Sequence, residues 1–258
     1  MGKTIIEWAT HTWNPITGCT PISEGCDHCY ARRMANRLAG RYGYPADDPF
    51  RVTFHPERLS EPLRWKKPRR IFVCSMSDFF HDEVDSWWID DILDACRAAP
   101  QHTYMFLTKR PQNILKKLEG CSEKQLEFIA KKAWLGVTVE NQARADERIP
   151  ILLQLHAALL FVSVEPMLWT LDLYKYLPHK HTCRCPECFH RAFKTQLSYT
   201  LDWVICGGET GPGARPMKLS WARDLRDQCK FAGVPFFFKK VSRVIETPDD
   251  LMIREAPQ

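Results

Sequence analysis

Two rhythms of apolar residues alternate along the chain. Short, nearly continuous apolar runs occur at 70–75 (RIFVCS), 103–107 (TYMFL), 134–139 (WLGVTV), 158–164 (ALLFVSV), 202–206 (DWVIC) and 235–238 (PFFF). Their length and their β-branched and aromatic content predict strands buried on both faces. Between them, apolar residues recur three and four apart, which predicts amphipathic helices. Ile89, Ile92, Leu93 and Cys96 form one such face over 87–98. Leu126, Ile129, Ala130 and Ala133 form another behind a capping box of Ser122 and Gln125. Trp221, Leu225 and Cys229 share a third before Gly233. Helices are also expected over 30–38, 111–118 and 142–155, the last interrupted near Pro150, and a first strand just before Cys19. Buried strands alternating with amphipathic helices indicate an α/β fold with a parallel sheet of about six βα units. Periodicity leaves a barrel and a doubly wound sheet equally open.

In parallel α/β architectures, ligands bind at the carboxyl ends of the strands. Those positions carry Ser75, Ser77 and Asp78, then Thr108 and Lys109, then Thr138, Glu140 and Asn141, then Ser163 and Glu165, then Glu209 and Thr210. One polar strand end is ordinary; five in succession imply a lined cavity. Lys109, Glu165 and Glu209 are its candidate catalytic groups. Lys109 and Arg215 suit an anionic substrate group, or simply solvent. The stretch GGETGPG at 207–213 has no GK[ST] after it, so it is not a phosphate loop. It is either a tight turn or a place where backbone approaches a ligand closely.

With 258 residues, 45% of them hydrophobic, the chain is long enough for one sizeable core. The expected organisation is a core over 1–240 that includes a Cys/His-rich insertion at 177–198, with a loosely attached tail at 241–258. No apolar run approaches membrane-spanning length, and MGKTIIEW lacks the apolar core of a signal peptide, so a cytoplasmic protein is expected. In that compartment eleven cysteines point to metal or redox chemistry. Cys74, Cys96, Cys121, Cys206 and Cys229 are isolated and read as small buried hydrophobes. Cys19, Cys26 and Cys29 lie within eleven positions. Three thiolates are one short of a closed tetrahedral cage, which suits a metal or cluster with one open position. A zinc site and unligated core thiols are the alternatives.

A second group, HKHTCRCPECFH at 179–190, offers Cys183, Cys185 and Cys188 with His190 as a fourth ligand. Zinc, an auxiliary iron-sulfur cluster and no metal all fit it. The net charge is +5, and seven Lys/Arg between Arg51 and Arg70 face only Glu57 and Glu61. Such a patch suits a polyanion or a solvated loop.

The segment NPITGCTPISEGCDHCYARR at 14–33 resembles the cluster motif of radical S-adenosylmethionine (SAM) enzymes, in the branch that contains spore photoproduct lyase. SMSDFF at 75–80, LTKRP at 107–111, GVTVEN at 136–141, FVSVEP at 161–166 and VICGGETGPGARP at 204–216 extend a likeness to a phage-associated radical-SAM-like family over roughly 5–240. The usual motif has three residues between its first two cysteines; here there are six, Thr20 to Gly25. The resemblance implies a partial (β/α)6 barrel and a [4Fe-4S] cluster on Cys19, Cys26 and Cys29. It implies SAM bound by Ser75, Ser77 and Asp78 at its amino group and by Thr138, Glu140 and Asn141 at its ribose, with Tyr30 packed nearby. It also implies a flavodoxin- or ferredoxin-type electron donor and a DNA or nucleotide substrate, with isomerisation or rearrangement of a hypermodified thymidine in phage DNA as the reaction. A phage-encoded enzyme would work in the host cytoplasm. The rival expectation is a zinc-stabilised nucleic-acid-binding protein without catalysis.

Overall fold

The computed structural model describes residues 4, 6–178, 200–242 and 246–257. The second cysteine group, including Cys183, Cys185, Cys188 and His190, lies outside them. Strand β1 (His11–Trp13) opens the sheet, and β2 (Ile16–Thr17) pairs antiparallel with β3 (Thr53–Phe54) as a separate ribbon. Then come β4 (Arg70–Val73), β5 (Thr103–Thr108), β6 (Ala133–Thr138), β7 (Leu159–Val164), β8 (Trp203–Cys206) and β9 (Phe236–Phe238). The helices are α1 (Tyr30–Arg37), α2 (Ser86–Ala98), α3 (Gln112–Leu118), α4 (Glu123–Lys132), α5 (Gln142–Leu152) and α6 (Leu219–Ala232).

Seven strands form one parallel sheet in the order β1-β4-β5-β6-β7-β8-β9. Spatial order follows chain order without reversal. A doubly wound sheet reverses at a switch point; a barrel wall does not. The sheet is accordingly a curled half-barrel with six crossovers.

Alternation along each strand divides the core in two. Ile71, Val73, Tyr104, Phe106, Leu135, Val137, Leu160, Val162, Val204 and Phe236 pack outward with the helices. Phe72, Met105, Phe161, Trp203, Ile205 and Phe237 point inward with Trp8. The inner layer is aromatic, with ring centroids 4.7 Å apart for Trp8 and Phe72, 5.9 Å for Phe161 and Trp203, and 5.8 Å for Trp134 and Trp203. It fills the barrel below, leaving the strand ends for polar groups. Gly136 makes room for this layer, since a Cβ there would lie 2.5 Å from the ring of Phe161, its register partner on β7.

Several expectations need correction. Helix α5 runs through Pro150 without a break. The proline lies in the last turn of the helix, where few backbone bonds depend on its missing N–H. Helix α4 has its capping box, but its buried face is Gln125, Phe128 and Ile129 while Leu126 and Ala130 are exposed. The rotation follows from Gln125, whose amide donates to Asp90 O at 3.2 Å and Asp94 Oδ1 at 3.1 Å on α2. Cys121 is only half-buried and faces Asp90 at 3.7 Å, unlike the four buried isolated thiols. The tail is not loose over 249–255. Leu251 is fully buried, Phe238 N donates to Ile253 O at 3.0 Å, and Trp203 Nε1 donates to Glu255 O at 2.9 Å. Covering β9 pairs part of an edge that would otherwise stay open.

The basic stretch is also divided. Arg58 is buried and donates to Asn14 O at 2.8 Å, and Arg69 stacks on Trp65 at 5.6 Å. Lys66 and Lys67 lead into the start of β4, at the opposite end of the sheet from the strand termini that carry the polar residues. Among the described residues, no helix is long and apolar enough to cross a membrane.

Substituting Gly136→Ala is expected to destabilise the fold by about 1–3 kcal/mol through overpacking. Gly120→Ala, with nothing within 4 Å of the added carbon, should stay within about 0.5 kcal/mol of the parent. Urea denaturation of both variants checks the pair.

Candidate active site

The loop between β2 and α1 carries all three early cysteines and has only one 3-10 turn, Glu24–Cys26, of its own. The strand ends hold it in place. Gly18 N donates to Met76 O at 2.9 Å and Ser77 Oγ donates to Gly18 O at 2.6 Å, tying the loop to the end of β4. Asn14 Oδ1 accepts from Ser75 Oγ at 3.1 Å and Met76 N at 3.0 Å. The Tyr30 hydroxyl, at the start of α1, donates to Ser75 O.

Beyond β5, Arg110 is buried and reaches across the loop. Its guanidinium donates to Thr20 O and Oγ1, both at 2.9 Å, and lies 3.7 Å from Cys19 Sγ. Asp78 lies 3.4 Å from it and Asp82 3.1 Å. Asp78 also accepts from Thr108 Oγ1 at 2.7 Å and Lys109 N at 3.1 Å. Lys109 Nζ meets Glu140 Oε1 at 2.6 Å, Ser23 Oγ at 3.3 Å and Cys26 Sγ at 3.6 Å. Glu140 is fully buried, accepts from Ser23 Oγ at 2.6 Å, and pairs through its other oxygen with Arg148 at 3.0 Å. Arg148 also donates to Thr138 O at 2.8 Å. Gly25 is required here because a Cβ would lie 2.4 Å from Glu140 Oε1.

The far side of the loop is fastened from β8. Glu209 accepts from His28 Nδ1 at 2.9 Å and from Arg215 at 2.6–3.0 Å through N, Nε and NH2. Arg215 continues to Glu24 O at 2.7 Å and Asp27 Oδ2 at 3.2 Å. Although burial opposes ionisation, the bonds from Arg215 and His28 hold Glu209 down at about 2. The glycine-rich stretch after β8 serves close packing: Gly208 N donates to Lys240 O at 2.9 Å, and a Cβ on Gly208 would strike Val241 O.

The polar residues expected at the strand ends therefore converge, but most of their side chains already have protein partners. Ser75, Ser77, Asp78, Glu140 and Glu209 anchor the cysteine loop. Asn141 caps α5, accepting from Arg144 N at 3.0 Å, and its amide donates to Glu24. Glu165 instead pairs with Lys239 at 2.5 Å, and both remain partly accessible. Sequence reasoning missed Arg110, Arg148, His28, Ser23 and Lys239. Two of them had a legible signal. Arg148 stands on the apolar stripe of α5 with Ala145, Ile149 and Leu152, and Lys239 directly follows the last strand.

Among the described residues, no group of three His, Cys, Asp or Glu is arranged to hold a single metal ion. Cys19, Cys26 and Cys29 are free and half-buried, and Cys19 and Cys29 pack against the same small cluster around Ala31, Tyr44, Phe50 and Met76. Burial raises the Cys26 thiol, but the charge of Lys109 and hydrogen bonds from Ile22 and Ser23 bring it below its ordinary value. Burial and then Asp78 push Cys19 up to about 12, against the pull of Arg110. Cations beside two of three free thiols fit an anionic sulfur-ligated cluster. The Tyr44 hydroxyl, buried without a partner in the same cluster, is a further unfilled donor.

Arg110→Ala should destabilise the protein by about 3–5 kcal/mol, because it leaves Asp78 charged and buried without its partner. The contribution of ionised Glu209 should be complete above pH 4.5, its ordinary value, and fade toward about pH 2. The stability gap between the parent and Glu209→Gln should narrow over that interval in denaturant titrations.

Solved structures of spore photoproduct lyase share this fold. The lyase complexed with dinucleoside spore photoproduct is 11% identical, with a TM-score of 0.56 over 93% of this chain and 79% of that one. A cysteine-to-serine mutant is 12% identical with a TM-score of 0.57, and a cysteine-to-alanine mutant with the same dinucleoside is 13% identical with a TM-score of 0.54. Both cover the same shares of the two chains. At these identities the common property is the fold. No curated protein matches the chain. The match that spans residues 3–251 is to a family described as a protein of unknown function, DUF5131, and the chain belongs to that family.

Proposed function

We propose that this protein is a radical SAM enzyme that acts on a nucleobase or nucleotide-type substrate. The observation that carries the reading is the loop of three free cysteines clamped over the carboxyl ends of a parallel half-barrel. Cys19, Cys26 and Cys29 would hold a [4Fe-4S] cluster, and when bound with SAM it would supply one-electron cleavage of the sulfonium and hydrogen abstraction from substrate. A flavodoxin- or ferredoxin-type protein is the external donor in this reading. The substrate class is supported by the dinucleoside photoproduct named with the lyase of the same fold. Isomerisation or rearrangement of a modified thymidine suits reversible hydrogen abstraction.

The chain's own residues have separable tasks in this scheme. Lys109 places positive charge beside Cys26 and favours its thiolate, while Arg110 beside Cys19 offsets part of the burial and the Asp78 charge that oppose ionisation there. Ser75, Ser77, Asp78, Glu140 and Glu209 hold the loop rigid, and the aromatic interior excludes water from below. The accessible pair of Glu165 and Lys239 is where substrate polar groups would exchange with a protein ion pair.

Anaerobic reconstitution with iron and sulfide tests the proposal. The parent should turn brown and retain about four iron atoms per chain at the first group. Cys26→Ala and Cys29→Ala should lose that absorbance, whereas Cys121→Ala should keep it. With dithionite and SAM, the parent should release 5′-deoxyadenosine and Cys29→Ala should not. A colourless parent that instead takes zinc on these cysteines would overturn the reading.

A further inference from the structure

Two indoles stand at the rim of the strand ends with no part in the cysteine clamp. Trp169 lies in the segment after β7, which is fixed to the mouth by two backbone bonds. Met167 N donates to Gly207 O and Leu168 N donates to Glu140 O, each at 2.9 Å. Trp169 follows directly and is 61% exposed. Trp221, in the first turn of α6, is its neighbour, with centroids 5.5 Å apart and planes inclined by 36°. Lys218, at the N-cap of α6, places Nζ 5.6 Å from the Trp221 centroid. Trp169 thus presents a large exposed indole beside a half-buried one, with an ammonium next to the pair. Its flat face and adjacent positive charge match a heteroaromatic base and its phosphate.

We propose that Trp169, Trp221 and Lys218 form a stacking subsite for a base of a single-stranded nucleic acid, flanking the nucleotide whose base enters the mouth. The proposal deepens the substrate reading above and rests on it for the occupant. Base-on-aromatic stacking supplies affinity without sequence preference, and the lysine pairs with backbone phosphate. Glu140, whose carbonyl fixes the Trp169 segment, also holds Lys109 beside Cys26. The subsite and the cysteine loop are therefore anchored to one residue, which sets their spacing.

The test is fluorescence anisotropy of a labelled ten-nucleotide oligo-dT at low salt. The parent should bind it, Trp169→Ala should weaken binding about tenfold, and Trp169→Phe should recover most of the loss. Phe231→Ala, at an exposed aromatic near the other end of α6, should leave affinity unchanged. Lys218→Ala should weaken binding and flatten its salt dependence. Equal affinity of the parent and Trp169→Ala would overturn the subsite, as would failure of the parent to bind. Adenosine serves as a second probe: competition by adenosine alone, with no dependence on oligonucleotide length, would assign the platform to a cofactor adenine and overturn the proposal. Reductive SAM cleavage by the parent is measured in parallel. Cleavage without Trp169-dependent binding sinks the subsite alone. Trp169-dependent binding without cleavage sinks the enzymatic reading and leaves the subsite standing.

Discussion

A fully buried carboxylate between two cations is the constraint on which this structure turns. Glu140 meets Lys109 at 2.6 Å and Arg148 at 3.0 Å, while Ser23 donates to it at 2.6 Å. Desolvating three charged groups is expensive, and such networks contribute little net stability compared with apolar packing. Their effect lies in the penalty for every alternative, because moving any member strands a charge in a medium that cannot solvate it. A loop with one short 3-10 turn cannot hold three thiols in register by itself. Lys109 and Ser23 transfer that rigidity to Cys26, and Arg110 with Asp78 does the same for Cys19.

This arrangement divides labour among the polar residues at the mouth. Asp78, Glu140 and Glu209 look like ligand-binding carboxylates by position, yet each has at least three protein donors or cations around it. They are components of the frame. The three thiols, the Glu165 and Lys239 pair, Lys109, His28, Arg215 and the rim aromatics keep access to solvent. The accessible groups at this mouth thus combine thiols, ion-paired side chains and flat aromatic faces.

The strands were legible because burial on both faces removes polar alternation, and each apolar run became a strand within a residue or two. The curl was not legible from periodicity. It follows from spatial order, which depends on crossovers whose handedness and succession leave no trace in a short window. The same limit explains the site. Positions at strand ends could be marked, but pairing could not, since Lys109 and Ser23 are 86 residues apart and Glu209 and His28 are 181 apart. Basic residues counted together between Arg51 and Arg70 scatter, with Arg58 buried, Arg51 exposed beside the cysteine loop and Lys66 and Lys67 at the opposite end of the sheet, because charge density along a chain carries no direction in space. Arg148 is the instructive omission. A guanidinium on an otherwise apolar helical stripe needs a buried anion, and that inference required no structure.

An open half-barrel also sets what can approach. A closed eight-stranded barrel surrounds its mouth with loops on every side and suits a small molecule that enters from above. Here β1 and β9 do not pair; residues 249–255 cover β9, and Arg254 among them reaches Glu7, ahead of β1, at 3.0 Å. The aromatic layer blocks entry from below, so extended ligands can reach the strand ends only from above or through the unclosed side. A polymer can lie across such a rim while one unit enters, provided the frame does not yield when it binds. The buried charges around Glu140 meet that requirement, since they resist displacement by more than surface contacts could, and they leave contact with any ligand to groups that still face water.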